Sequence, residues 1–313
     1  TDLFSPAAIE RLAGHFQTLL AGIVAQPGCR LLELPLLTAA ERRQLIEWSA
    51  SPAAGCAEQT LCERIEEQAR QRPDAVAVVF QDRSLSYRQL DRRAEGVAAR
   101  LRELGVGPGS FVGLCVERSP ELVVGLYGAL KAGATYVPID PGYPRERVAY
   151  LLESSGAAVL LSRRHLAEVL PDAQDRVVFL DDLGEAEPDP RAESPGLDGL
   201  LYTIYTSGST GRPKAAAVYQ RAFLNLLRWY VEDLGGTPED RYLLLSSFSF
   251  DLTQKNLFAP LVTGGRLVLG EELLDLPERV LDTVAVWWTL PAAARLLGLQ
   301  ERSRVRSGVT LER

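Results

Sequence analysis

The sequence predicts an α/β fold, with doubly wound, mostly parallel sheets covered by helices, on three observations. From Thr60 onward, short apolar strands alternate with amphipathic helical patterns, the order that builds a helix-covered parallel sheet. The 313 residues exceed the roughly 250 to 300 at which one core splits, which predicts at least two subdomains. The run Tyr205-Thr206-Ser207-Gly208-Ser209-Thr210-Gly211-Arg212-Pro213-Lys214 follows an alternating apolar strand and concentrates hydroxyls, glycines and two cations.

The elements follow in order. Ile9, Leu12, Phe16, Leu19, Leu20 and Ile23 recur at helical spacing after Ser5 and Pro6, predicting a capped helix over Pro6 to Val24. A leucine-rich stretch, a short charged helix over Ala39 to Trp48 and the loose Ser51 to Gly55 read as linker. Ala75 to Phe80 reads as a buried strand. Ser86 and Gln89 then form a capping box for a helix whose Leu90, Ala94, Val97, Ala98 and Leu101 share one face until Gly105. Strands follow at Phe111 to Val116, Thr135 to Ile139, Ala158 to Ser162 and Val177 to Leu180. Helices are expected from Ser119-Pro120-Glu121 to Lys131-Ala132-Gly133, at Arg145 to Ser155 and at His165 to Leu170. Glu185 to Gly199, rich in Asp, Glu, Pro and Gly, reads as an exposed connector. The predicted division is 1–55, 56–199 and 200–313.

Composition narrows the function. A hydrophobic content of 46%, a charged content of 24% and a net charge of -7 describe a soluble globular chain without a basic stripe, which argues against nucleic acid. No apolar run approaches the roughly 18 residues of a membrane span, and the start lacks a signal-peptide pattern. The expectation is a cytoplasmic protein without a membrane partner. Cys29, Cys56, Cys62 and Cys115 lack CxxC or Cys/His ligand spacing, so they read as reduced, packed thiols, with no metal site. His15 and His165 are the only histidines and read as structural or exposed. With no GxSxG, a Ser/His/Asp hydrolase is disfavoured. The absence of methionine from 313 residues predicts a segment of a longer chain.

The glycine-rich run reads as a phosphate loop. Its glycines let backbone amides approach an anion, Ser and Thr hydroxyls can donate to phosphate oxygens, and Lys214 can offset charge. A Walker A loop is excluded, because Arg212 and Pro213 separate Gly211 from Lys214 and Ala215 follows. A solvated turn is the alternative reading of such a cluster.

The same ten residues resemble the signature loop of the adenylate-forming enzymes. Leu85-Ser86-Tyr87-Arg88-Gln89-Leu90 and Gly128-Ala129-Leu130-Lys131-Ala132-Gly133-Ala134-Thr135-Tyr136-Val137-Pro138-Ile139-Asp140-Pro141 resemble two further motifs of that superfamily and read as scaffold. Phe250-Asp251 through Gly264-Gly265 resembles the substrate-pocket helix of nonribosomal peptide synthetase adenylation domains. Residues 1 to about 50 resemble the end of a condensation domain and its linker.

The resemblance implies the large domain of an adenylate-forming enzyme, truncated, that activates an amino acid with ATP and Mg2+ for loading onto the phosphopantetheine of a carrier domain. Antibiotic or siderophore biosynthesis is the implied setting, with condensation and carrier domains as partners. Thr206 and Lys214 are implied in catalysis, and Thr206, Ser207, Gly208, Ser209, Thr210, Gly211 and Lys214 in gripping ATP phosphates. Phe250, Asp251, Leu252, Lys255 and Thr289 are implied at the amino acid, with Asp251 on its ammonium and Lys255 suited to an acidic or polar side chain. Local sequence leaves another reading open: Asp251 and Gln254 as a capping box, with Lys255 paired to Asp251 across one turn. The family usually has glycine where this chain has Ala215. The motif resemblance ends near Leu297, short of the family's Tyr-Gly-x-Thr-Glu segment, ribose aspartate and distal lysine, so little activity is expected of this chain alone. An acyl or aryl acid ligase and a noncatalytic docking remnant remain the alternatives.

Overall fold

The computed structural model describes residues 4–49, 58–171, 176–187, 189, 196–206 and 213–270. The chain divides into two compact units, Thr1–Gly55 and Cys56–Arg313. In the first, α1 (Pro6–Ala25) starts at Ser5, whose hydroxyl accepts the Ala8 amide at 3.3 Å. Its apolar stripe, Ile9, Leu12, Phe16, Leu20 and Ile23, is exposed. α2 (Ala39–Ser49) is opened by a reciprocal cap: Thr38 Oγ1 accepts from the Glu41 amide, and Glu41 Oε2 accepts from the Thr38 amide and hydroxyl. His15 Nε2 lies 2.8 Å from Glu41 Oε1 and joins the two helices.

The second unit begins with α3 (Leu61–Gln71), launched by a Thr60/Glu63 capping box that buries Leu61, Cys62 and Ile65. β1 (Val76–Phe80) turns back into β2 (Arg83–Ser86). α4 (Tyr87–Glu103) then rises from the predicted Ser86/Gln89 capping box. β3 (Phe111–Cys115), α5 (Pro120–Lys131) and β4 (Thr135–Ile139) form one crossover unit of parallel strands. α6 (Arg145–Ser155) stops at Gly156, whose φ of 64° glycine adopts without a Cβ penalty. β5 (Val159–Ser162), a 3₁₀ turn over Arg164–Val169, and β6 (Val177–Phe179) follow. β7 (Leu200–Thr206), β8 (Lys214–Tyr219), α7 (Gln220–Leu234), β9 (Arg241–Leu244), α8 (Asp251–Thr263) and β10 (Arg266–Leu269) complete the described chain. Among the described residues no helix is long and apolar enough to cross a membrane.

Two sheets result. The larger runs β6-β5-β3-β4-β7-β8, parallel except for the β7/β8 hairpin at its edge, and the smaller runs β2-β1-β10-β9. The sheets do not divide the chain at 199/200: β7 joins β4 in the larger sheet, while β1 is completed by β10, with Val78 opposite Leu267. An apolar β1, buried at Ala77 and Val78, needs a partner on each side, and the local hairpin supplies only β2.

α4 and α5 pack closely because Gly128 faces Val97; a Cβ there would come within 2.5 Å of the Val97 Cβ. At this seam Lys131 is 5% exposed and meets Glu66, Asp91 and Glu95 at 2.7, 3.0 and 3.2 Å. Burial pulls its ammonium down, but Asp91 and Glu66 outweigh that and hold it above the ordinary lysine value. The Leu130-Lys131-Ala132-Gly133 motif is therefore scaffold that clamps α3, α4 and α5.

Candidate active site

β7 carries the first half of the site. Its end pairs with the start of β8, Thr206 directly opposite Lys214, and Thr206 Oγ1 donates to the Lys214 carbonyl at 3.5 Å. Directly opposed residues hold their Cβ atoms roughly 5 Å apart, so the Thr206 and Lys214 side chains leave the end of the hairpin beside one another. Both side chains are exposed. Tyr150 on α6 donates to the Pro213 carbonyl at 3.3 Å and tethers the return strand. Ser207, Gly208, Ser209, Thr210, Gly211 and Thr289 lie outside the described residues.

The second half is the turn into α8. Ser247 donates to Asp140 Oδ2 and lies 2.9 Å from Ser249, which meets the Tyr143 hydroxyl at 3.3 Å. Thr253 Oγ1 donates back to the Ser247 carbonyl at 2.9 Å. These bonds fasten the segment before α8 to the loop after β4. Asp251 is the first helical residue, exposed, with Oδ1 accepting the Leu252 amide at 2.7 Å. A carboxylate at a helix start is favoured by the helix dipole.

The alternative reading of this turn is corrected by the structure. Phe250, not Asp251, occupies the N-cap, without a side-chain cap bond, and Gln254 is fully buried, bonding to Tyr136 and to the carbonyls of Phe248 and Phe250. No capping box forms because the Gln254 side chain turns into the core. Lys255 donates to the Leu252 carbonyl at 3.1 Å and sits 5.4 Å from the Tyr230 ring centre, instead of closing on Asp251. Burial pulls the Lys255 ammonium below its ordinary value, and Asp251 offsets part of that. Phe250 and Leu252 are 60% and 53% exposed, so both present apolar surface outside the core.

Three residues beside the site were not read as part of it: Tyr202 stood outside every motif, Tyr136 inside one read as scaffold, and Gln254 as a capping residue. Tyr202 on β7 is buried, and its hydroxyl is pushed up to about 12, by burial first and by the negative charge of Asp251 second. Tyr136, against the Tyr202 ring, and Gln254, bonded to Tyr136, are the other two. The signal for Tyr202 was its parity: Tyr202, Ile204 and Thr206 alternate onto one face of β7. Tyr202 and Thr206 are therefore separated by about 13 Å, at roughly 3.3 Å per residue. Tyr202, on which the Asp251 charge acts, and the Thr206/Lys214 pair thus stand at the two ends of one strand face.

The donor set suits anions. Hydroxyl and ammonium groups at the hairpin offer protons and positive charge, and among the described residues no three His, Cys, Asp or Glu side chains converge as metal ligands. A cavity of about 340 Å³ between α4 and α5, lined by Arg93, Glu121 and Asp181, holds none of the candidate residues.

Open α/β sheets bind ligands beyond the carboxyl ends of their strands, and β7 ends there with the exposed Thr206/Lys214 pair, the class of site that suits an anionic substrate. Comparison with known sequences narrows that class. The chain belongs to the AMP-binding enzyme family, whose model matches residues 65–309, past the end of the motif resemblance at Leu297. It is 41% identical over 279 residues to tyrocidine synthase 3 of Brevibacillus parabrevis, a match covering 87% of this chain and 4% of that protein. It is 37% identical over 293 residues to gramicidin S synthase 2 of Aneurinibacillus migulanus, covering 91% and 6%. The chain thus spans only 4% and 6% of the length of these two curated relatives. Among solved structures, the nonribosomal peptide synthetase FmoA3 in its AMPPNP-bound form is similar with a TM-score of 0.73 at 35% identity, covering 89% of this chain and 30% of that one. The NpsA N-terminal subdomain of Klebsiella oxytoca is similar with a TM-score of 0.62 at 26% identity, covering 71% and 58%. Within the family, these relatives group the chain with nonribosomal peptide synthetase adenylation domains.

Proposed function

We propose that this chain carries part of the site for ATP-dependent activation of an amino acid as its aminoacyl adenylate, the aminoacyl group then passing to the phosphopantetheine thiol of a carrier domain. The observation that carries the reading is that β4 and β7 are parallel neighbours paired at Tyr136 and Tyr202, so the loop after β4, where Asp140 holds Ser247 just before α8 and its exposed Asp251, lies at the same carboxyl end of the sheet as the Thr206/Lys214 pair. An amino acid bound to ATP presents an ammonium at one end and a polyphosphate at the other. A carboxylate suits the first and a hydroxyl with an ammonium suits the second.

In the reaction, a substrate carboxylate oxygen attacks the α-phosphorus, the bond to the bridging oxygen breaks, and pyrophosphate leaves with its electron pair. No protein nucleophile is needed. Lys214 and Thr206, with Ser207, Gly208, Ser209, Thr210 and Gly211, would take up charge on the departing phosphates. Mg2+, when bound, would supply positive charge to the phosphates beside Thr206 and Lys214. Lys255, a partly desolvated cation one turn from Asp251, suits an acidic or strongly polar substrate side chain. Condensation and carrier domains are the partners this reading implies, and peptide antibiotic synthesis is the setting that the relatives suggest.

The test is ATP–pyrophosphate exchange by the full-length protein over a panel of amino acids, repeated with Asp251→Ala. Losing a hydrogen bond to a charged group costs about 1.5–3 kcal/mol, on the order of 10- to 100-fold in kcat/KM. That loss is expected for every amino acid in the panel. Exchange at the parent rate in the variant would remove Asp251 from the ammonium site and sink the reading.

A further inference from the structure

We infer that Gln254 is a positioning residue for the amino-acid end of the site, its buried amide tying the start of α8, and with it Asp251, to Tyr136 on β4. The inference rests on the ammonium role proposed for Asp251. Gln254 Nε2 donates to the Phe248 carbonyl at 2.5 Å and to the Phe250 carbonyl at 3.2 Å, while Oε1 accepts the Tyr136 hydroxyl at 2.6 Å. The amide therefore has one workable orientation, because a flip would set its oxygen against two carbonyl oxygens. The Phe250 carbonyl belongs to the peptide that enters Asp251, so the bond acts on the backbone that aims the carboxylate.

The path closes on itself. Tyr136 pairs with Tyr202 across β4 and β7, their ring centres 5.7 Å apart, and Tyr202 is the residue on which the Asp251 charge acts. α8 has no side-chain cap of its own, so Gln254 supplies the fixing that a cap residue would otherwise give. Both Gln254 and Tyr136 are at 0% exposure. A methionine would fill the same volume, and a buried amide is favourable only if every polar atom is used. Here every heteroatom of the Gln254 side chain is engaged, and the engaged partners lead to Asp251.

The experiment compares Gln254→Met and Tyr136→Phe in the full-length protein. Pyrophosphate exchange is measured with the amino acid that the parent activates best and with its α-hydroxy analogue. A site loosened around Asp251 raises KM for the amino acid about tenfold or more, leaves KM for ATP within about twofold, and narrows the preference for amino over hydroxy acid. Tyr136→Phe, which removes one oxygen, gives a smaller change in the same direction and decides the matter if Gln254→Met does not fold. Unchanged selectivity, or equal rises in both KM values, overturns the inference. If Asp251→Ala abolishes activation while these variants keep their selectivity, only the positioning role falls. If Asp251→Ala is itself active, the underlying function falls with it.

Discussion

Lys131 shows how far a motif residue can be from chemistry. Its ammonium is surrounded by three carboxylates and covered by Tyr127, whose ring centre lies 5.2 Å away and whose hydroxyl donates to Asp91. Removing the cation leaves Glu95, at 3% exposure, partnered only through Arg102 among these groups. Breaking one partner of a buried ion pair costs about 3–5 kcal/mol. Lys131→Met is expected to lower the urea midpoint of this chain accordingly, and a midpoint within error of the parent would show that the cluster is solvated. The residue scale was only partly legible. Ser86 and Gln89 declare themselves through local spacing and Lys131 through motif resemblance, whereas Gln254 shares its spacing with a capping residue and differs only in where the fold turns its side chain. That turn depends on Tyr136, 118 positions away in sequence, which local spacing cannot reveal.

At the scale of elements, the starts of α1 and α4 were legible because caps are made within four residues, whereas the Thr38/Glu41 and Thr60/Glu63 caps of α2 and α3 were not read. The α2 cap gives a pH prediction. Hydrogen bonds from the Thr38 hydroxyl and amide, followed by His15, lower the Glu41 carboxyl from 4.5 to about 2. A carboxylate whose folded value is depressed stabilises the folded form fully above its unfolded value and loses that contribution as pH falls through the folded one. α2 should therefore keep its cap down to about pH 4.5 and lose it between 4.5 and about 2. A carbon-detected NMR titration should find Glu41 depressed in the parent and displaced toward 4.5 in Thr38→Ala. A Glu41 midpoint that ignores the threonine would refute the cap as its cause. Strand β8 is the converse case: Ala215-Ala216-Ala217 has little strand preference, and it is strand only because β7 templates it.

At the scale of the whole second unit, chain order and sheet order part company. The predicted alternation of strands and helices is present, and the sheets are mostly parallel, but a division at 199/200 runs through both sheets. The larger sheet takes β7 and β8 from after that point, and the smaller takes β1 and β2 from before it. The reason was not legible because Val78 and Leu267 pair across 189 positions of sequence, and pairing across such a separation leaves no local pattern. A physical consequence can be measured. Residues 56–199 expressed alone would contain β1 and β2 as an isolated hairpin and β4 as an unpaired edge. Two-stranded hairpins are marginal in water, and bare apolar edges associate. This piece is expected to lack a cooperative urea transition and to aggregate, whereas residues 56–270, which carry β7 to β10, should unfold cooperatively. Hydrogen exchange should show β1 amides protected in the longer piece and exchanging freely in the shorter. Protection of Val78 in the shorter piece would mean that β1 does not depend on β10, and the interleaved sheet would then be a docking of two preformed parts.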